Sequence, residues 1–182
     1  MAISLIIRHE RISAMGFKQP KSWLGMAGLA FITAILMQLF DIGVVMPVMN
    51  RVTGETIDYR GFASLQGDMG QLLTILVFSW TLAAVGEELA YRGFVMRTLG
   101  RLLGEGKTGV VLAIFVSSLL FGLAHTEQGL VGVVVTTIDA VVFSWLKRRF
   151  DGNLWAPILA HGFYNSVGVI TFYSTGPIYG LW

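Results

Sequence analysis

Five apolar stretches, at residues 22–47, 69–92, 108–125, 130–146 and 154–173, fix what this 182-residue chain can become. About 20 apolar residues carry an α-helix across the hydrocarbon core of a bilayer. Backbone N–H and C=O groups in lipid find no water, so each stretch must satisfy its own by coiling into a helix. The expected fold class is all-α: a polytopic membrane helical bundle of about five transmembrane helices, forming a single integral membrane domain over residues 1–182. The third and fourth stretches are short, which predicts tilt or local burial. Composition agrees, with 54% hydrophobic and only 13% charged residues, where a soluble domain carries roughly 25% charged.

The absence of cysteine excludes disulfides, thiolate-ligated metal clusters and cysteine nucleophiles. A net charge of +2 gives no basis for a nucleic-acid partner; the lipid bilayer is the partner this composition implies. The charged residues read instead as topology signals. Arg8, Arg11, Lys18 and Lys21 precede the first stretch, Arg97, Arg101 and Lys107 separate the second from the third, and Lys147, Arg148 and Arg149 the fourth from the fifth. The intervening connections are acidic, with Glu55, Asp58 and Asp68 outweighing Arg51 and Arg60 in one, and Glu127 alone in the other. That alternation places the N-terminus in the cytoplasm. The apolar run at 3–7 is too short for a signal peptide and its charges follow it, so residues 1–21 are expected to form an interfacial lead-in. Tyr179 and Trp182 are expected at the outer interface.

Ionisable side chains inside a spanning helix are costly and mark functional sites by default. Glu87 and Glu88 sit side by side in the second stretch, and Arg92 follows Glu88 at i,i+4, the spacing of a neutralising pair that leaves Glu87 free. His125 shares a helical face with Phe121, and His161 with Asn165. Counted from a turn near Gly106, Glu87 and His125 each lie 19 residues away and are therefore level. Counted from a turn near Phe150, His161 and Asp139 each lie 11 residues away. The difference of eight residues is about 12 Å at 1.5 Å per residue, which predicts that the charged end of the first hairpin, 97–107, projects from the membrane. Asp139 is then placed either to orient His161 or to form a structural pair.

A carboxylate, two imidazoles and an amide at one buried level suit hydrolysis of a peptide bond, which needs a base for water and donors for the oxyanion. Glu87 fits the base, His125 the holder of the water, and His161 with Asn165 the oxyanion donors. Taken singly, each group also has a bland role as a hydrogen bond between helices.

The sequences E-E-L-A-Y-R at 87–92, F-G-L-A-H at 121–125 and H-G-F-Y-N at 161–165 resemble, in order, the E-E-x-x-x-R, F-x-x-x-H and H-x-x-x-N motifs of the CPBP family. These are intramembrane proteases related to type II CAAX prenyl endopeptidases and to bacteriocin-processing or immunity proteins. The similarity covers a core of about 71–174. It implies an intramembrane endopeptidase acting on a membrane-associated peptide or protein, in a prokaryotic inner or plasma membrane. Carried over by position, it implies Glu87 as base, His125 as its water-holding partner, and His161 and Asn165 as the oxyanion pair, with Glu88 and Arg92 at supporting positions. The family is described both as metal-dependent and as metal-free. Zinc would take Glu87, His125 and His161 as ligands, but the H-E-x-x-H helix of zincins is absent, so no obligate cofactor is expected. A single span precedes the E-E helix where relatives often have more, so prenylated substrates are not assumed. From other classes come a catalytically silent membrane scaffold or immunity protein that binds a partner peptide, and a proton-coupled carrier, against which the lack of inverted repeats argues.

Overall fold

A computed structural model describes residues 15–104 and 106–176, and the expectations for residues 1–14, Tyr179 and Trp182 fall outside them. Among the described residues five helices build the bundle: α1 (Trp23–Thr53), α2 (Met69–Leu103), α3 (Lys107–Leu123), α4 (Gly129–Arg149) and α5 (Trp155–Thr175). One-turn 3₁₀ segments, Arg60–Phe62 and Thr126–Gln128, lie in the α1–α2 and α3–α4 connections. Three helical stretches, α1, α2 and Thr126–Arg149, are long and apolar enough to span a membrane; α3 is a shorter apolar helix. With every described element helical, this is a polytopic membrane bundle.

The helix ends follow from local chemistry. Ser22 and Asp68 are N-caps whose side chains accept from the backbone N–H groups of Gly25 and Gln71, satisfying donors that the first turn leaves orphaned. Gly54 ends α1 at φ 75°, left-handed backbone that glycine adopts without a Cβ clash. Lys147, Arg148 and Arg149 occupy the last turn of α4, where cations offset the helix dipole.

The side chains divide as lipid solvation demands. Leu24 (86% exposed), Leu36 and Leu82 face outward, whereas Met26 and Ala30 of α1 pack on Ala156 and Ala160 of α5. Small residues let helix backbones approach when no hydrophobic force separates inside from lipid. The α3–α4 crossing shows this most sharply: a Cβ on Gly122 would meet Thr137 Oγ1 at 1.9 Å and the Val133 carbonyl at 2.7 Å. Gly122→Ala is therefore expected to lower stability by about 1–3 kcal/mol, read as a drop in thermal midpoint; an unchanged melting curve would show that the two helices do not meet this closely.

Two features exceed the sequence expectation. Segments of π-helix interrupt α1 at Asp41–Val45 and α2 at Ser79–Glu87 and Leu89–Val95, a geometry found mostly at functional positions. The second is the length of α2, which runs on to Leu103 rather than ending near Arg92. Lys147 Nζ donates to the Arg92 carbonyl at 2.6 Å, so Arg92 is level with the end of α4. Residues 93–103 continue beyond it by about 16 Å, and the first hairpin projects past the second, as the counting of turns predicts.

Candidate active site

The E-E pair splits its two carboxylates between different tasks. Glu88 is fully buried and pairs with Arg92, itself 1% exposed, through Nη1 at 2.9 Å. The Arg92 guanidinium carbon lies 4.5 Å from the centroid of Phe121 and 5.4 Å from that of Phe143. Its Nε and Nη2 have no hydrogen-bond partner, and the faces of these rings supply the electrostatic complement. The charge thus stays inside the bundle, compensated on one side by a carboxylate and on the others by aromatic faces.

Glu88 also takes His161. The Nδ1 of His161 is 3.0 Å from Glu88 Oε1, and a carboxylate paired with arginine accepts rather than donates, so Nδ1 carries the proton. Stacking on Phe143, with centroids 4.9 Å apart and planes 16° from parallel, sets the plane of the ring. Nε2 is then the nitrogen available to the cavity. Asp139, expected as a candidate to orient His161, does not do so. Counting residues fixes a side chain's depth along a helix but not its rotation about the axis, and rotation gives His161 to Glu88.

Glu87 emerges on the other side. Its side chain is 32% exposed, and its Oε2 is 3.9 Å from His125 Nε2, beyond direct hydrogen-bond reach. This Oε2 is buried with no hydrogen-bond partner. His125 stands just past the end of α3, at φ −110° and ψ 31°, rather than on its helical face. Its Nδ1 is nevertheless 2.8 Å from the Phe121 carbonyl. A carbonyl can only accept, which fixes the proton on Nδ1 and turns Nε2 toward Glu87.

Glu87, His125, His161, Asn165 and Asp139 all line one cavity of about 460 Å³. The structure brings these five sequence-predicted residues together, with Glu88 and Arg92 packed behind the wall. No group of three His, Asp or Glu side chains among the described residues is gathered as a metal centre would require. Both imidazoles do leave Nε2 unencumbered while Nδ1 is tied to an oxygen, an orientation that serves a zinc ligand and an acid–base group alike.

Asp41 was not singled out in the sequence. It is 1% exposed in α1 and accepts from the Tyr164 hydroxyl at 2.8 Å, and Asp139 lies beside this pair. The signal was available, because a carboxylate inside the first apolar stretch is as conspicuous as those in the second. Tyr164 is thus a polar link between α1 and α5. At the mouth of the cavity, Asp58 is held down to about 2 by hydrogen bonds from the Arg60 side chain and backbone, so it remains ionised at any physiological pH.

Searches of curated proteins and of solved structures returned no match. The family model described as type II CAAX prenyl endopeptidase Rce1-like matches residues 69–167, which is more than half of the chain and contains all three motifs. An intramembrane cavity with a glutamate and an imidazole facing one another, found on the segments this model matches, places the chain in the Rce1-like family of intramembrane CAAX-type endopeptidases.

Proposed function

We propose that the protein hydrolyses peptide bonds of membrane-associated peptides or proteins with a water molecule activated by Glu87, without an obligate metal. The observation that carries this is the unpartnered, buried Glu87 Oε2 set 3.9 Å from His125 Nε2. A water at ordinary hydrogen-bonding distance from both atoms sees them at an angle of about 90°, so the gap suits one shared water. The fixed His125 tautomer accepts one of its protons and leaves the other for Glu87.

In the proposed step the water oxygen bonds to the scissile carbonyl carbon as its proton passes to Glu87, and the carbonyl π electrons move to oxygen. His161 Nε2 and the Asn165 amide stabilise that oxyanion. Because Nδ1 of His161 donates to Glu88, donation from Nε2 is made by the imidazolium form. Collapse of the intermediate breaks the C–N bond, and Glu87 returns its proton to the leaving amine. The products are a carboxylate and an amine.

The test compares new peptide termini by mass spectrometry in membranes holding equal amounts of wild type or His125→Ala, with and without a zinc chelator. Termini present only with wild type and unchanged by chelation are expected. Their loss on chelation would replace the metal-free mechanism with a zinc one. Identical termini in the two membranes would favour a silent scaffold that binds a peptide.

A further inference from the structure

The cavity is closed at one end and roofed at the other, and the two ends have opposite charge. Its floor is the cluster that holds Glu88, Arg92, Phe143 and Leu146, each at most 1% exposed. Beneath lie Leu154, whose N–H donates to the Gly16 carbonyl at 2.7 Å, and Lys147 on the Arg92 carbonyl. This plug separates the site from the turns that carry Lys18, Lys21, Arg97, Arg101, Lys107, Lys147, Arg148 and Arg149. From His161 the cavity runs the other way, along the Gly168–Phe172 portion of α5, to the 54–68 connection. There Ile57, Tyr59, Phe62 and Leu65 form its roof.

That roof is a strap rather than a plug. It is held by the Asp58 N–H on the Gln128 carbonyl and the Gly67 N–H on the Tyr173 carbonyl, and Tyr59 and Phe62 pack on Phe172. Asp58 and Glu127 line the cavity at this end, and the cations there are Arg51, in the last turn of α1, and Arg60. Eight cations at the plugged end against two at the roofed end place the plugged end in the cytoplasm.

We infer that the cavity is loaded from the extracytoplasmic face, and that its substrate is a peptide segment exposed on that face. This rests on the endopeptidase reading for the word substrate, but the sidedness stands on the direction of the cavity and the distribution of charge, whether or not peptides are cut.

The chain has no native cysteine, so one introduced thiol reports its own surroundings. Ala83, half-buried in the cavity wall, is replaced as Ala83→Cys and Arg148 at the plugged end as Arg148→Cys. Sealed right-side-out and inside-out vesicles are then treated with a charged, membrane-impermeant maleimide. Ala83→Cys is expected to label in right-side-out vesicles and lose that labelling when they are inverted, with the reverse pattern for Arg148→Cys. Thr136→Cys, on the α4 wall of the same cavity, repeats the test should Ala83→Cys misfold. Labelling of the cavity thiols from the same side as Arg148→Cys would overturn the inference, as would reaction only with a membrane-permeant maleimide. Neither result depends on turnover. Outward labelling without new peptide termini would remove the protease reading and keep the sidedness.

Discussion

Glu87→Gln is expected to lower turnover by about 10³-fold, the middle of the range a positioned general base contributes, while the bundle stays folded. The substitution keeps the side chain's size and one of its oxygens but removes its capacity to take a proton. Glu87 makes no ion pair with Arg92 and is 32% exposed, so the fold loses little. The measurement is the rate of appearance of a new amino terminus, with a thermal melt of both proteins in the same detergent. Turnover within tenfold of wild type would remove Glu87 as the base; a collapsed melt would show that the residue is structural.

Arg92→Ala is expected to have the largest effect on stability. Glu88 would be left fully buried without its guanidinium partner, and removing one partner of a buried pair costs about 3–5 kcal/mol. The same change empties the space between Phe121 and Phe143 and loosens the carboxylate that holds His161. Arg92→Lys is not expected to rescue it, because an ammonium is a compact, strongly hydrated charge without the planar group that stacks between two rings. The comparison is the thermal midpoint and membrane yield of the two variants beside Glu88→Gln/Arg92→Ala. The double variant carries no buried charge at either position and should recover part of the loss. If Arg92→Ala melts like wild type, the pairing with Glu88 is not what stabilises the bundle.

Much of this arrangement is legible in the sequence because lipid makes polar residues conspicuous. Glu87, His125, His161 and Asn165 stand out from apolar surroundings, and counting from Gly106 brings Glu87 and His125 to one level. The i,i+4 spacing announces Glu88 with Arg92. Other parts needed three dimensions. The partner of His161 is decided by the rotation of α2 and α5 about their axes, which helical counting over π-helical turns does not give. The continuation of α2 to Leu103 is hidden because its last turns carry Arg97 and Arg101 and so do not read as apolar. The roof over the cavity comes from a connection whose apolar residues, Ile57, Tyr59, Phe62 and Leu65, follow no regular period. Asp41 has no charged neighbour in sequence, and its companions, Asp139 and Tyr164, come from α4 and α5.

The widened turns of α2 bear on how such a chain changes by descent. Between Ser79 and Glu87 the backbone bonds i to i+5, so this stretch holds a residue more than an ordinary coil of the same height. Losing one residue there permits relaxation to α geometry with the number of turns unchanged, so the side chains downstream keep their facing. The same loss in the α-helical Met69–Phe78 stretch, which holds no surplus residue, would turn everything downstream by about 100° and take Glu87 and Glu88 from their partners although neither had been substituted. The wide turns of α2 are therefore where a lineage can shorten this helix by three nucleotides and keep the four polar groups of the site together.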